Sequence, residues 1–211
     1  MDSTATQTVR QRQKADRRAA LLAAATQLMA ARGYLGVRLE DIGAAAGVSG
    51  PAVYRHFASK DAVLTELLIG VSERLLAGAE RILAESAGPR ALRELVDWHV
   101  HFALTEPELI LIDDRDRSHL PPSALERMRT TQRRYVALWV GAVGRAVPSG
   151  DATVDLMRTH AVLGLINSTP RASRTVPPQT RRAVVTQMAL AALGDLAAPG
   201  EHRAIGTSAL E

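Results

Sequence analysis

Between Ser49 and Lys60 the chain sets a run of hydrogen-bond donors on a short stretch: Ser49, Tyr54, Arg55, His56 and Lys60. A phenolic O–H, a ring N–H and an ammonium group all suit phosphate oxygens, whereas a guanidinium fits either phosphate or the edge of guanine. Gly50 and Ala52 add almost no bulk, so the backbone can approach a groove closely, and the Ala52 methyl can meet a thymine methyl. Arg38, upstream, can grip a phosphate or reach a base. This is the chemistry of holding a polyanion, with no bond made or broken. The plainer alternative is a helical core segment in which Tyr54, His56 and Phe57 merely pack.

Elsewhere the reactive side chains do not assemble into a set. Asp97 and His101 stand four apart, one face of a helix, yet spacing supplies no third metal ligand. Asp113-Asp114-Arg115-Asp116-Arg117-Ser118-His119 alternates charge just before Pro121 and reads as a solvated connection. No nucleophile sits at a fixed spacing from a base. The expectation is therefore no catalytic residue, no metal site and no cofactor. The rival reading is a helical-bundle enzyme using these His and Asp residues.

The elements that must position residues 37–60 follow from periodicity. A first helix is expected over 16–32, with Leu21, Ala25, Leu28 and Met29 at helical spacing and Gly33 at its C-terminal end. A second spans 39–46, and Gly47 allows the positive φ and close helix approach of a tight turn. A third opens at Ser49, with Pro51 tolerated in its first turn, and runs to about Phe57. Leu39, Ile42, Val48, Val53 and Phe57 would bury one side of this unit.

The segment Glu40-Asp41-Ile42-Gly43-Ala44-Ala45-Ala46-Gly47, followed by Val48-Ser49-Gly50-Pro51-Ala52-Val53-Tyr54-Arg55-His56-Phe57-Ala58-Ser59-Lys60, resembles the DNA-binding domain of TetR-family repressors. The resemblance covers about residues 15–65 without a gap. It implies phosphate contacts for Tyr54, His56 and Lys60, and a recognition helix carrying Ser49, Gly50, Ala52 and Arg55. Arg38 departs from the pattern, since it replaces a Ser or Thr that caps the second helix. Arginine cannot accept a backbone N–H.

The remaining helices are expected from 60, over 89–104, near 106–113, from Pro121-Pro122 to about 147, over 151–168, and over 178–197. With no alternating strand pattern, the fold reads as all-α with about nine helices: an N-terminal three-helix helix-turn-helix domain and a C-terminal helical bundle. The boundaries fall at 1–14, a flexible basic arm; 15–60, the DNA-binding domain; 61–198, the effector and dimerisation domain; and 199–211, a disordered tail. Charge agrees with this division. Residues 1–60 carry nine Lys/Arg against four Asp/Glu, while the rest carries seventeen against eighteen. A basic segment on a neutral body suits a polyanion partner.

In the C-terminal body, Trp98, His101, Phe102, Tyr135, Leu138 and Trp139 gather on two helices and could wall a small-molecule cavity, with Arg115 and His160 as polar contributors. Apolar walls favour a hydrophobic or amphipathic effector. Small residues in the last two helices (Ala161, Gly164 and Ser168; Ala183, Ala189, Ala192 and Gly194) allow close packing across a two-fold axis. The expected partners are a double-stranded operator, a second copy through 151–168 and 178–197, and a small molecule, with no membrane. The chain has Cys 0 and no apolar run long enough to span a bilayer, and a cytoplasmic location is expected.

Overall fold

The computed structural model describes residues 3–169 and 175–194. Within them nine α-helices and one short 3₁₀ turn appear: α1 Ser3–Arg32, α2 Leu39–Ala45, α3 Gly50–Val53, α4 Lys60–Glu85, α5 Gly88–Thr105, α6 Pro107–Asp116, η1 Arg117–His119, α7 Pro122–Ala146, α8 Ala152–Asn167 and α9 Pro178–Ala192. Strands are absent among the described residues. The all-α expectation holds, and the long helices fall close to their expected bounds.

Three expectations are corrected. Residues 3–14, expected as a flexible arm, are helical and continue α1. The third helix is only four residues long, because Tyr54, Arg55 and His56 close the segment in turns. His56 N–H reaches only back to Val53 O (2.9 Å), the tighter i−3 spacing. The last helix ends at Ala192 among the described residues; the end expected near 197 and the tail 199–211 lie outside them.

The N-terminal unit is built as its pattern dictates. Leu21, Ala25 and Met29 of α1 are fully buried against Ile42 and Val53, with Phe57 all but buried beside them. Gly33 ends α1 at φ 75°, its N–H accepted by Met29 O at 2.8 Å. Gly47 takes φ 66°, as the turn requires. It is not the point of close approach, however: a side chain there would meet nothing. Gly43 is that point, since a Cβ would lie 3.1 Å from Val48 O and 3.3 Å from Val53 Cβ.

Ser59 caps α4 by accepting the Ala62 N–H at 3.1 Å, and α4 then runs from the N-terminal unit into the body without a linker. Val63, Leu64, Leu67, Leu68 and Val71 form its buried face. Along α7 it is matched by two exposed ion pairs, Arg127–Glu73 (2.5 Å) and Arg134–Glu80 (2.9 Å). Such pairs contribute at most about 1 kcal/mol each but help fix register. Trp139 of α7 is fully buried at the centre of the body, and α9 closes the outside of α5 and α8.

Candidate nucleic-acid interface and effector cavity

The residues expected to contact DNA lie at the starts of α2 and α3 and in the turns after α3. Ser49 occupies the N-cap position of α3, but its hydroxyl makes no capping bond and the residue is exposed. Gly50 and Ala52 are half-buried, and nothing lies within 4 Å of a Cβ placed on Gly50. Arg55 is fully on the outside. Tyr54 is 52% exposed and donates its hydroxyl to Glu40 Oε1 at 2.5 Å. That bond raises the Tyr54 pKa and lowers that of Glu40. Arg38 is exposed at the N-cap of α2 with no side-chain capping bond; Asp41 closes the cap from the other side, accepting the Arg38 N–H at 2.8 Å.

Two expected phosphate ligands are placed differently. Lys60 Nζ donates to Tyr34 O at 2.7 Å and Val37 O at 2.8 Å and sits 4.1 Å from the Tyr34 ring centroid. It pins the α1–α2 connection, leaving one N–H of its three for a phosphate. His56 has Nδ1 buried without a partner. Burial, then the charges of Lys14, Arg18, Arg17 and Arg55, hold its pKa below the usual value, so the ring is neutral near pH 7.

Sequence reasoning missed the residue that aims this surface. Arg18, on α1, pairs with Glu66 of α4, donates to His56 O at 2.5 Å, and lies 4.2 Å from the Phe57 ring centroid. One guanidinium thus ties three elements together at the end of the reading segment. Nothing local in the sequence marks it, since all its partners are distant in the chain.

In the body, a cavity of about 340 Å³ opens between α4, α5, α6, α7 and α8. Val71, Leu75, Phe102, Leu109, Ile110 and Leu163 give it apolar walls. Its polar floor is a chain centred on His99, 3% exposed, with Nδ1 3.0 Å from Tyr135 Oη and Nε2 3.0 Å from Asn167 Oδ1. Burial drives the His99 pKa down to about 4, against a smaller opposing effect of the Asn167 bond. The imidazole is therefore neutral, with Nε2–H donating to Asn167 and Nδ1 accepting from Tyr135. Burial raises the Asp113 carboxyl at the mouth, opposed by Arg117, which donates to Asp113 Oδ2 at 2.7 Å.

Of the residues expected in the pocket, Phe102, Tyr135 and His160 line it. Trp139 stands behind His99, edge-on with ring centroids 6.0 Å apart. Leu138 packs on the core away from the cavity. Trp98 lies instead against α4, over Gly78, donating Nε1–H to Leu75 O at 3.3 Å. His101 is exposed, because two residues along α5 from the buried His99 is about 200° round, on the opposite face. Arg115 faces the opposite way altogether: it donates to Met29 O and, at 3.3 Å, to Ala30 O at the end of α1, held by buried Asp116. A separate, shallower groove of about 650 Å³ between α7 and α8 is lined by Arg129, Arg133, Val136, Val140, Leu156 and His160. Gln132, Val136 and His160 border both spaces.

Comparison with known proteins accounts for both halves. The family described as "Bacterial regulatory proteins, tetR family" matches residues 21–67, and "Tetracyclin repressor-like, C-terminal domain" matches residues 88–194. The chain belongs to the tetR family of bacterial regulatory proteins. It is a ligand-responsive, DNA-binding transcriptional regulator of that family. The HTH-type transcriptional repressor KstR2 of Mycobacterium tuberculosis is 30% identical over 155 residues, 67% of this chain and 74% of the relative. The structure of the ketosteroid transcriptional regulator KstR2 of that organism superposes with a TM-score of 0.73 at 23% identity, over 84% of this chain and 93% of that one. AibR, solved with isovaleryl coenzyme A and operator DNA, has the same fold (TM-score 0.68, 18% identity, 82% and 97% covered). The first match covers the end of α1, α2, α3 and the start of α4, and the second covers α5 to α9. Among the described residues no helix is long and apolar enough to cross a membrane.

Proposed function

We propose that the protein is a cytoplasmic homodimeric repressor, without catalytic activity, released from a near-palindromic operator by an amphipathic anionic effector. The observation that carries the effector class is the meeting of two unlike spaces at Gln132, Val136 and His160. An apolar group enters the cavity, where the Asn167 amide N–H groups suit a carbonyl on it and the Tyr135 oxygen, its proton given to His99, can accept from a hydroxyl. The anionic end lies over Arg129 and Arg133. AibR, of the same fold, takes an acyl thioester of coenzyme A together with operator DNA, which supports this division. In the dimer, two reading segments enter major grooves one turn apart, about 34 Å. The effector releases DNA by binding more tightly to a body conformation that breaks that spacing.

The test is a mobility shift with DNA upstream of the protein's own and neighbouring genes, with acyl coenzyme A thioesters and the corresponding free acids as competitors. A shifted fragment released by a thioester, and released less in Arg129→Ala, is expected. Failure of every fragment to shift at low salt would sink the operator reading. Release by free acids alone, unchanged in Arg129→Ala, would sink the anionic-effector reading.

A further inference from the structure

Glu40 holds its carboxylate on the side chain of Tyr54, an expected phosphate ligand. It stands exposed at the second position of α2 and accepts the hydroxyl of Tyr54 at 2.5 Å. Tyr54 has a single proton to donate. A phosphate oxygen accepting that proton either displaces Glu40 Oε1 or turns the O–H away from it, and both oxygens then lie within ~3 Å of the same hydroxyl. Two anions cannot share it, and bringing them that close is unfavourable even in a watery environment.

The immediate surroundings do not neutralise Glu40. The charges acting on it are Arg38, which attracts, and Asp41, which repels, and Asp41 is itself engaged by the Arg38 N–H. The first helix of a helix-turn-helix crosses the DNA backbone, so an exposed acid at its start faces phosphate rather than base edges.

We propose that Glu40 competes with DNA phosphate for the Tyr54 hydroxyl, so that docking on any DNA must first exchange the Glu40–Tyr54 bond for a phosphate–Tyr54 bond. The exchange acts as an affinity threshold. It costs the same on every sequence, and only an operator that supplies further contacts offsets it. The protein is thereby kept from settling on non-specific DNA, where a basic N-terminal unit would otherwise bind readily. This rests on the regulator reading but not on the effector.

The experiment is fluorescence anisotropy with a labelled random-sequence duplex and with a labelled fragment from upstream of the gene, at two salt concentrations. Wild type, Glu40→Gln, Tyr54→Phe and the double variant are compared. Glu40→Gln is expected to tighten binding to both duplexes, by roughly three- to fivefold at low salt and less at high salt, the scale of one exposed charge interaction. Tyr54→Phe weakens binding, and in its background Glu40→Gln changes affinity by less than a factor of about two. Glu40→Gln leaving affinity unchanged, or lowering it, overturns the proposal. An equal gain with and without the Tyr54 hydroxyl overturns the exchange and leaves plain charge repulsion. Wild-type protein that binds neither duplex overturns the regulator reading and this proposal with it, whereas normal wild-type binding with an inert Glu40→Gln overturns this proposal alone. Circular dichroism of each variant shows whether α2 remains folded.

Discussion

At the scale of the residue, Lys60 and His99 are the two side chains whose chemistry the fold redirects. Lys60 is expected as a phosphate ligand from the family resemblance; its two carbonyl partners, Tyr34 and Val37, were not legible, because the α1–α2 connection only comes near α4 after folding. Lys60→Met, which keeps an apolar stem over the Tyr34 ring, is expected to lower unfolding free energy in urea by about 1 kcal/mol, a hydrogen-bond-sized loss reduced by partial exposure, as well as weakening DNA binding. Equal stability with weaker binding would show that the carbonyl contacts carry no weight. His99 went unassigned in the sequence because a histidine on an apolar face is ordinarily core. Its folded pKa of about 4 lies below the unfolded value of 6.5. Between these values the unfolded chain takes a proton that the folded chain refuses, so stability falls as pH drops from about 6.5 to about 4 and levels off below. The full contribution is on the order of 3 kcal/mol. Urea unfolding at pH 7 and pH 5 should therefore show wild type losing roughly 2 kcal/mol more than His99→Gln over that interval. Matching pH profiles would mean that His99 is not held neutral by burial.

Among the elements, long helices were readable because periodicity, caps and prolines agree along them. Ser59, Pro107, Pro122 and Pro178 each stand at or beside a helix start. The recognition segment was not readable in length, since the pattern through Phe57 is helical whether its last turn is α or tighter. The pocket was half readable. Phe102 and Tyr135 face inward, but the charged run after Asp113 was misjudged, because α6 uses both of its faces. One face puts Asp113 at the cavity mouth, and the other puts Arg115 on the final carbonyls of α1. His119, just beyond, stacks on Tyr34 with ring centroids 4.8 Å apart. The helix that borders the cavity therefore also holds the N-terminal unit, and a change in its tilt is expected to reach that unit through these contacts. Arg115→Ala should bind effector with wild-type affinity in calorimetry, yet need several-fold more effector to release DNA in a mobility shift. Unchanged release at equal affinity would place the coupling elsewhere, α4 being the remaining direct connection.

For the whole molecule, the outer faces of α8 and α9 decide whether one reader or two act together. Met157 is 63% exposed, Met188 52% and Val184 46%, and Val154 and Leu156 are exposed beside them. Large apolar side chains left open on two helices of one body mark an association surface, while Ala161, Gly164 and Ser168 between them are exposed and small enough for close approach. Ala189, in contrast, is fully buried within the chain and belongs to its own core rather than to a partner. A two-fold axis through this face would double an arginine at Met157 by symmetry and require it to be desolvated without a counter-charge. Met157→Arg is expected to halve the mass measured by light scattering at micromolar concentration, with helix content unchanged by circular dichroism. Because a lone reader loses every contact in the second groove, affinity for the full operator should fall by at least tenfold, whereas binding to a single half-site should barely change. A dimer of undiminished mass would move the interface to another face, and a monomer with full operator affinity would show that pairing on DNA does not depend on pairing in solution.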